Sequence, residues 1–464
     1  MRRVLSPLLA LLMAGCATHP ADPVPRSGVA RQVVAAAPFL GQGGAATNQA
    51  DVPAHWWRLY EDPRLDSYVE EALAANTDLR AADANLRRAS AIVREAQAGR
   101  TLSTGVSGQA LGARTAGPTG ALPSSFSYAL GFDLSYPLDL GGGLRRGVAA
   151  ASAQAEASVA ARDHVRVAIA AAVTRNYARV CASNAALASA RKIAQVQQST
   201  LDAAIRMARG GRGARFDIDR ARAAAYASDA AIPGILAEKQ AALFELAALM
   251  GRAPADYPKE AEGCGDVPAV ERPIPIGDGV TLLKRRPDVR MAERDLARAT
   301  TMIGVRAAEL YPSVSIGGSA GTAGPMKDLL APSTFGFGLG PLVSWTFPNR
   351  KAVRARIDQA GAEADAALAS FDGSVLLALQ QTETALSAYA RAREHLKALE
   401  SAAAAAGKAS DDAEKLQRFG RAPFLDVLQA QASYAQTLAS LSAARANLVD
   451  RQIDLFLALG GGWE

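Results

Sequence analysis

The sequence predicts a mainly α-helical chain with a membrane β portion. It is built from two copies of one unit, each with two membrane strands and a long antiparallel coiled-coil hairpin. Three observations predict this. The two halves repeat one another in order; residues 144–208 run without proline and with little glycine; and short stretches ahead of the long helices alternate between aromatic and small polar residues.

The repeat sets the frame. NTDLRAADANLRRA (76–89) aligns with RPDVRMAERDLARA (286–299), matching Asp78, Arg80, Leu86 and Arg88 to Asp288, Arg290, Leu296 and Arg298. Further matches keep the same order: TGVSG (104–108) with VSIGG (314–318), LSYPL (134–138) with VSWTF (343–347), GRGARFDIDRAR (211–222) with GRAPFLDVLQAQ (420–431), and LAALMG (246–251) with FLALGG (456–461). A unit of about 200 residues is a duplication and not a short solenoid repeat.

The elements follow from the N-terminus. MRRVLSPLLALLMAGC has two arginines, an apolar run and small residues before Cys16, the pattern of a secretory signal too short to span a bilayer as a mature helix. Met13-Ala14-Gly15-Cys16 resembles a bacterial lipobox, with Met13 where leucine is usual, so Cys16 is the expected lipidation site and first mature residue. No aspartate follows it to suggest inner-membrane retention.

A helix is expected over about 65–100 and again over about 278–310. Two strands follow in each copy, at 101–112 and 125–138, then at 311–321 and 333–347, with Gly-, Ser-, Thr- and Pro-rich tips between them. In FSYALGFDLSYPL, alternate residues Phe126, Tyr128, Leu130, Phe132, Leu134 and Tyr136 form one apolar face, and Ser127, Gly131, Asp133 and Ser135 the other. That suits lipid on one side and water on the other. The long helices are expected at 144–208 and 350–418. Val165, Ile169, Val173, Tyr177 and Val180 recur at coiled-coil spacings in the first. Return helices are expected at 216–251 and 423–459. The chain thus divides into a signal peptide (1–15), a lipidated extended segment (16–60), a first repeat (61–255), a connector (256–277), a second repeat (278–460) and a tail (461–464).

Cys181 and Cys264 remain, in a chain exported to an oxidising compartment. A disulfide between them and a pair of buried free thiols are both open readings. Hydrophobic residues make up 49% of the chain but aromatics only 6%, which favours close-packed helices over a compact mixed core. The net charge of +6 is spread thinly, with no basic block interleaved with aromatics, so nucleic acid is not an expected partner. His19, His55, His164 and His395 belong to no ligand-spaced motif, and no nucleophile–base pair or phosphate-cradling loop is present, so neither enzyme activity nor a bound metal or other cofactor is expected.

Four strands cannot close a barrel, and open edges are not tolerated in lipid. Several chains must therefore pool their strands, and three chains would supply twelve, an even number within the range of known barrels.

At this point the chain resembles the outer membrane factors of tripartite efflux systems, the TolC-like channels, and most closely their lipoprotein branch, the NodT family. The residues that carry the match are the lipobox at Cys16, WWRLYEDPRLDSYVEEALAANTDLRAADANL (56–86), LLKRRPDVRMAERDLARA (282–299), AELYPSVSIGGS (308–319) and the two glycine turns. The resemblance implies a homotrimer with a twelve-stranded barrel in outer membrane lipid and a helical tunnel in the periplasm. It also implies partnership with a periplasmic adaptor and an inner-membrane pump. The expected function is a passive duct for small molecules. A TolC-like exit for type I protein secretion keeps the same fold; a periplasmic adaptor lipoprotein would carry one hairpin where this chain has two.

In that family, acids after the glycine turn line the closed aperture. The resemblance assigns this role to Asp426 and, by the internal repeat, to Asp217; a second acid found in some relatives is replaced here by Gln429 and Arg220. An acid at a helix start also offsets the macrodipole without any other role. Arg212 and Arg421, beside the glycines, are candidates for tethering the closed mouth.

Overall fold

The computed structural model describes residues 39–40, 46–114, 124–211, 213–346 and 350–461. In order these form β1 (Thr47–Asn48), α1 (Pro63–Ala75), α2 (Thr77–Ala98), β2 (Ser103–Arg114), β3 (Ser124–Leu138), α3 (Gly143–Arg209), α4 (Arg215–Leu249), β4 (Ile274–Pro275), α5 (Gly279–Arg285), α6 (Pro287–Ala308), β5 (Ser313–Pro325), β6 (Phe335–Ser344), α7 (Arg350–Arg418) and α8 (Phe424–Ala458). The long helices run 67 and 69 residues and each return helix 35. At 1.5 Å per residue the long helices are about 100 Å each.

The expected first helix of each copy is in fact two. Its break falls at equivalent positions, Asn76 and Arg286, because the residue there leaves the helix to hold another element. Asn76 Oδ1 accepts from the backbone N–H of Asp78 (2.8 Å) and Leu79 (3.3 Å), capping α2, while its Nδ2 donates to the Leu249 carbonyl at the end of α4 (2.9 Å). Arg286 precedes Pro287, which disfavours the helical conformation before it. Its guanidinium donates to the Ala458 carbonyl at the end of α8 (2.9 Å). In both copies, therefore, the break at the first helix satisfies a carbonyl at the end of the return helix.

The compact units do not follow the duplication. Among the described residues, one comprises those within 85–159 and 291–372, and the other those within 39–84, 160–290 and 373–461, so each draws on both copies. The second unit holds the principal core. Trp56 and Trp57 are buried, and Trp56 stacks on Phe456 with ring centroids 4.8 Å apart. Leu65, Val69, Val173, Tyr177, Leu246, Ile453 and Leu455 complete its centre. Asp62 caps α1 and accepts from Tyr177 Oη at 2.5 Å. Burial raises the Asp62 carboxyl pKa, but the bonds from Tyr177 and Arg64 outweigh this and hold it below its ordinary value.

The connector is pinned to this core at three places. β1 and β4 pair in parallel, Thr47 with Ile274. Gln452, fully buried on α8, exchanges two hydrogen bonds with the backbone of Val270 (3.1 and 2.8 Å). Cys181 on α3 and Cys264 are joined by a disulfide with Cα atoms 5.0 Å apart, and Asn184 Nδ2 donates to the Cys264 carbonyl at 2.7 Å.

In the first unit, β2, β3, β5 and β6 form an antiparallel sheet in that order. Asp139 caps α3 as the chain leaves β3, accepting from the N–H of Leu144 (3.0 Å) and Arg145 (2.8 Å).

Candidate functional site

Directly opposed residues of an antiparallel pair share a face, so the register sorts the whole sheet. Val106 opposes Phe132, which opposes Ala320, which opposes Phe337; Gly108, Leu130, Thr322 and Phe335 form the next row. This face carries Val106, Phe126, Phe132, Tyr136, Ile316, Phe335, Phe337 and Leu339, all exposed, with Val106 and Phe337 at 86%. The opposite face carries Ser103, Gly105, Ser107, Gln109, Asp133, Ser315, Gly317, Ser319, Gly338 and Gly340, with Leu111 and Leu342 as its two large apolar residues. An uncovered face this aromatic, backed by small and polar residues, is a wall between lipid and water. Among the described residues the outer edges of β2 and β6 pair with no strand. None of the described helices is long and apolar enough to cross a membrane.

One residue departs from the expected apolar face. Tyr128 lies on it by register but is only 5% exposed, because the segment 326–334 covers it.

At the other functional region, the two glycine turns are built alike. Gly211 (φ 70°) and Gly420 (φ 68°) adopt the left-handed conformation that stops α3 and α7. The Arg421 N–H reaches back to the Leu416 carbonyl at 2.8 Å. Extended residues Ala214 and Pro423 then occupy the cap positions, so Pro423 precedes the first helical turn and is not part of it. Asp217 and Asp426 are both third in their helices, and their N–H groups bond the Ala214 and Pro423 carbonyls (3.1 Å each). Neither cap residue has a side-chain acceptor. Asp217 fills part of that gap by accepting from the Ala214 N–H at 3.3 Å, whereas Asp426 is exposed.

Both return helices meet α3 near these turns. Leu201 and Ala204 of α3, Ala221 and Ala225 of α4, and Leu428 of α8 form a small buried cluster. Beside it the buried Gln431 side chain bonds Thr200 on α3 (3.0 Å) and Glu414 on α7 (2.7 Å). One glutamine thus ties the ends of three helices, and spacing alone carried no signal for it. Phe216 and Phe419, one at each turn, are 65% and 76% exposed, a second feature not read from the sequence.

The remaining expected residues are placed as follows. Cys16, His19 and Arg212 lie outside the described residues. Arg421 is exposed and, among the described residues, its side chain makes no hydrogen bond or ion pair. Cys181 and Cys264 are both buried. Among the described residues no group of three or more His, Cys, Asp or Glu side chains is placed to hold a metal ion.

Comparison with known proteins agrees with this layout. The family model described as outer membrane efflux protein matches twice, at residues 68–252 and 280–461, once per copy. Nodulation protein T of Rhizobium leguminosarum bv. trifolii is 28% identical, covering 99% of this chain and 97% of that protein. The toluene efflux pump outer membrane protein TtgC of Pseudomonas putida is 27% identical over 98% of this chain and 94% of its own. Among solved structures, the outer-membrane channel OprN superposes with a TM-score of 0.88 at 30% identity, covering 96% of this chain and 99% of that one. The MtrE outer membrane channel of Neisseria gonorrhoeae, in its open state, gives 0.81 at 25% identity, covering 96% and 98%. With the strands, the paired long helices and the duplication all matched, the chain belongs to the outer membrane efflux protein family.

Proposed function

We propose that three copies of this chain close into one duct, which passes small molecules out of the cell without chemistry of its own. The chain is an outer membrane channel subunit of a tripartite efflux pump of the NodT type, in a Gram-negative bacterium. The observation that carries the closed duct is the four-stranded sheet with an apolar aromatic face, a small polar face and two unpaired edges. Edge joined to edge, three such sheets give twelve strands, and the small polar faces line the water-filled side. A periplasmic adaptor and an inner-membrane pump complete the path, and Cys16 carries the covalent lipid. Labelling with a fatty acid analogue is expected to mark the wild type and not Cys16→Ser; an unlabelled wild type rules out the anchor.

Two turns per chain place six aspartates in a trimer, and we assign Asp217 and Asp426 to a cation-selective constriction at the helical mouth. Arg212 and Arg421 are assigned to holding that mouth closed through the neighbouring copy. Single-channel recording tests channel and gate together. The wild type is expected to conduct cations over anions and to be blocked by a trivalent cation added on the helical side. Asp217→Asn combined with Asp426→Asn is expected to lose the block. A purified trimer that does not conduct overturns the channel reading. A conducting double variant with unchanged selectivity and block returns both residues to the role of helix-end charges.

A further inference from the structure

Residues 326–334, which join β5 to β6, do not stand clear of the sheet. They fold onto its apolar face and cover Tyr128 of β3. The Tyr128 hydroxyl is the centre of a closed polar network. It bonds Thr322 Oγ1 (2.9 Å) and Thr334 Oγ1 (2.9 Å), lies 3.2 Å from the Asp328 carbonyl, and accepts from the Leu330 N–H (2.8 Å). The two threonine hydroxyls also bond one another (2.7 Å), and Thr334 Oγ1 donates to the Ala331 carbonyl (2.7 Å). The Ala331 and Thr334 N–H groups bond the Asp328 and Ala331 carbonyls.

This arrangement turns the Tyr128, Thr322 and Thr334 hydroxyls inward and leaves large apolar side chains outward. Met326, Leu329 and Leu330 are 40%, 52% and 66% exposed. Leu330 has φ 60°, a left-handed conformation that is costly for a residue with a branched side chain and persists only when its surroundings hold it. Here the Tyr128 hydroxyl holds its N–H, and the side chain is left facing out. The level of the segment is set by register. It covers Tyr128, which opposes Gly324, while Phe126, two residues nearer the strand tip, remains 66% exposed. The segment therefore sits within the height of the apolar band and not beyond it.

Irregular backbone beside lipid must satisfy its own hydrogen bonds, and these bonds do so for the N–H groups of Leu330, Ala331 and Thr334 and the carbonyls of Asp328 and Ala331. We propose that residues 326–334 are a lipid-seated flap, latched by Tyr128, whose Met326, Leu329 and Leu330 side chains contact the acyl chains of the outer leaflet. The two charged residues of the segment, Lys327 and Asp328, are adjacent at its start, where they can meet headgroups. The continuity of the flap with the apolar sheet face selects lipid over a protein partner. The flap rests on the membrane reading of that face.

The test uses a nitroxide label on Leu330→Cys in trimers reconstituted into phosphatidylcholine–phosphatidylglycerol vesicles, with collision rates measured for oxygen and for a water-soluble nickel chelate. Oxygen is expected to exceed the chelate several-fold, as it should at a label on Val106→Cys of the exposed sheet face. Adding Tyr128→Phe, which removes only the hydroxyl, is expected to reverse the ratio at residue 330 and leave it unchanged at 106. A label at 330 that prefers the chelate while the label at 106 prefers oxygen overturns the flap alone. Preference for the chelate at both positions overturns the membrane reading with it. A ratio at 330 indifferent to Tyr128→Phe overturns the latch.

Discussion

Replacing Cys181 and Cys264 together by serine is expected to destabilise the folded chain by about 4–5 kcal/mol on the chain-entropy model. The bond closes a loop with a sequence separation of 83, which includes the end of α3, all of α4 and the start of the connector. Cutting it frees that loop in the unfolded chain. The folded state loses as well, because the sulfurs are replaced by hydroxyls at positions that are 0% and 3% exposed, where an unpaired polar group is costly. The check is a thermal or denaturant midpoint in detergent for wild type and double variant, each with and without reductant. The wild type should fall toward the variant when reduced, and the variant should not respond. Two alkylatable thiols in unreduced wild-type protein would contradict the bond.

Arg286→Leu is expected to cost about 3–5 kcal/mol, the range for removing one partner of a buried charge pair. Arg286 is 6% exposed and meets three elements: Asp288 through two bonds (2.6 and 3.0 Å), Gln381 on α7 (2.7 Å) and the Ala458 carbonyl of α8 (2.9 Å). Leucine fills some of the volume but leaves Asp288 with only the Val289 N–H (3.0 Å) and no cationic partner, and leaves the Ala458 carbonyl with only the longer bond from Thr382 Oγ1 (3.3 Å). Burial raises the Asp288 pKa, yet the Arg286 hydrogen bond and charge outweigh it and keep the group below its ordinary value. Its contribution is therefore complete above the unfolded carboxylate pKa of about 3.9 and is lost as pH falls through the lower folded value. In the variant, the acid limb of the stability profile should become shallower. Arg286→Lys, which keeps the charge but cannot make the paired bonds to Asp288, should fall between the two.

What could be read from the sequence was what repeats or alternates. The faces of β3 follow from residues 126–136, and the two turns from Gly211 and Gly420, because each rests on neighbours in the chain. Asp217 and Asp426 were found in the same way, as equivalent residues of two copies. Contacts closed over long separations carried no such signal. Tyr128 reads as one more lipid-facing aromatic until Leu330, 202 residues away, is seen to bond it. The break at Asn76 was hidden in a good helical pattern, since its cause lies at Leu249, on another helix. Arg286 belongs to a distinctive motif, but nothing in RRPDVR names Ala458 or Gln381 as its partners.

The free edges of β2 and β6 bear on how the protein reaches the membrane at all. Every second residue along β2 (12 residues) and β6 (10 residues) presents a backbone donor and acceptor to the open edge that lipid cannot satisfy, at several kcal/mol for each group left unpaired. A lone subunit is thus barred from the bilayer as firmly as a closed ring is favoured there. With three subunits per ring, as proposed, insertion and assembly become a single event of third order in subunit, steeply dependent on how fast the chain is delivered. Halving the supply should reduce the yield of channels by more than half, and a subunit with one blocked edge should poison its partners in proportion well beyond its own abundance.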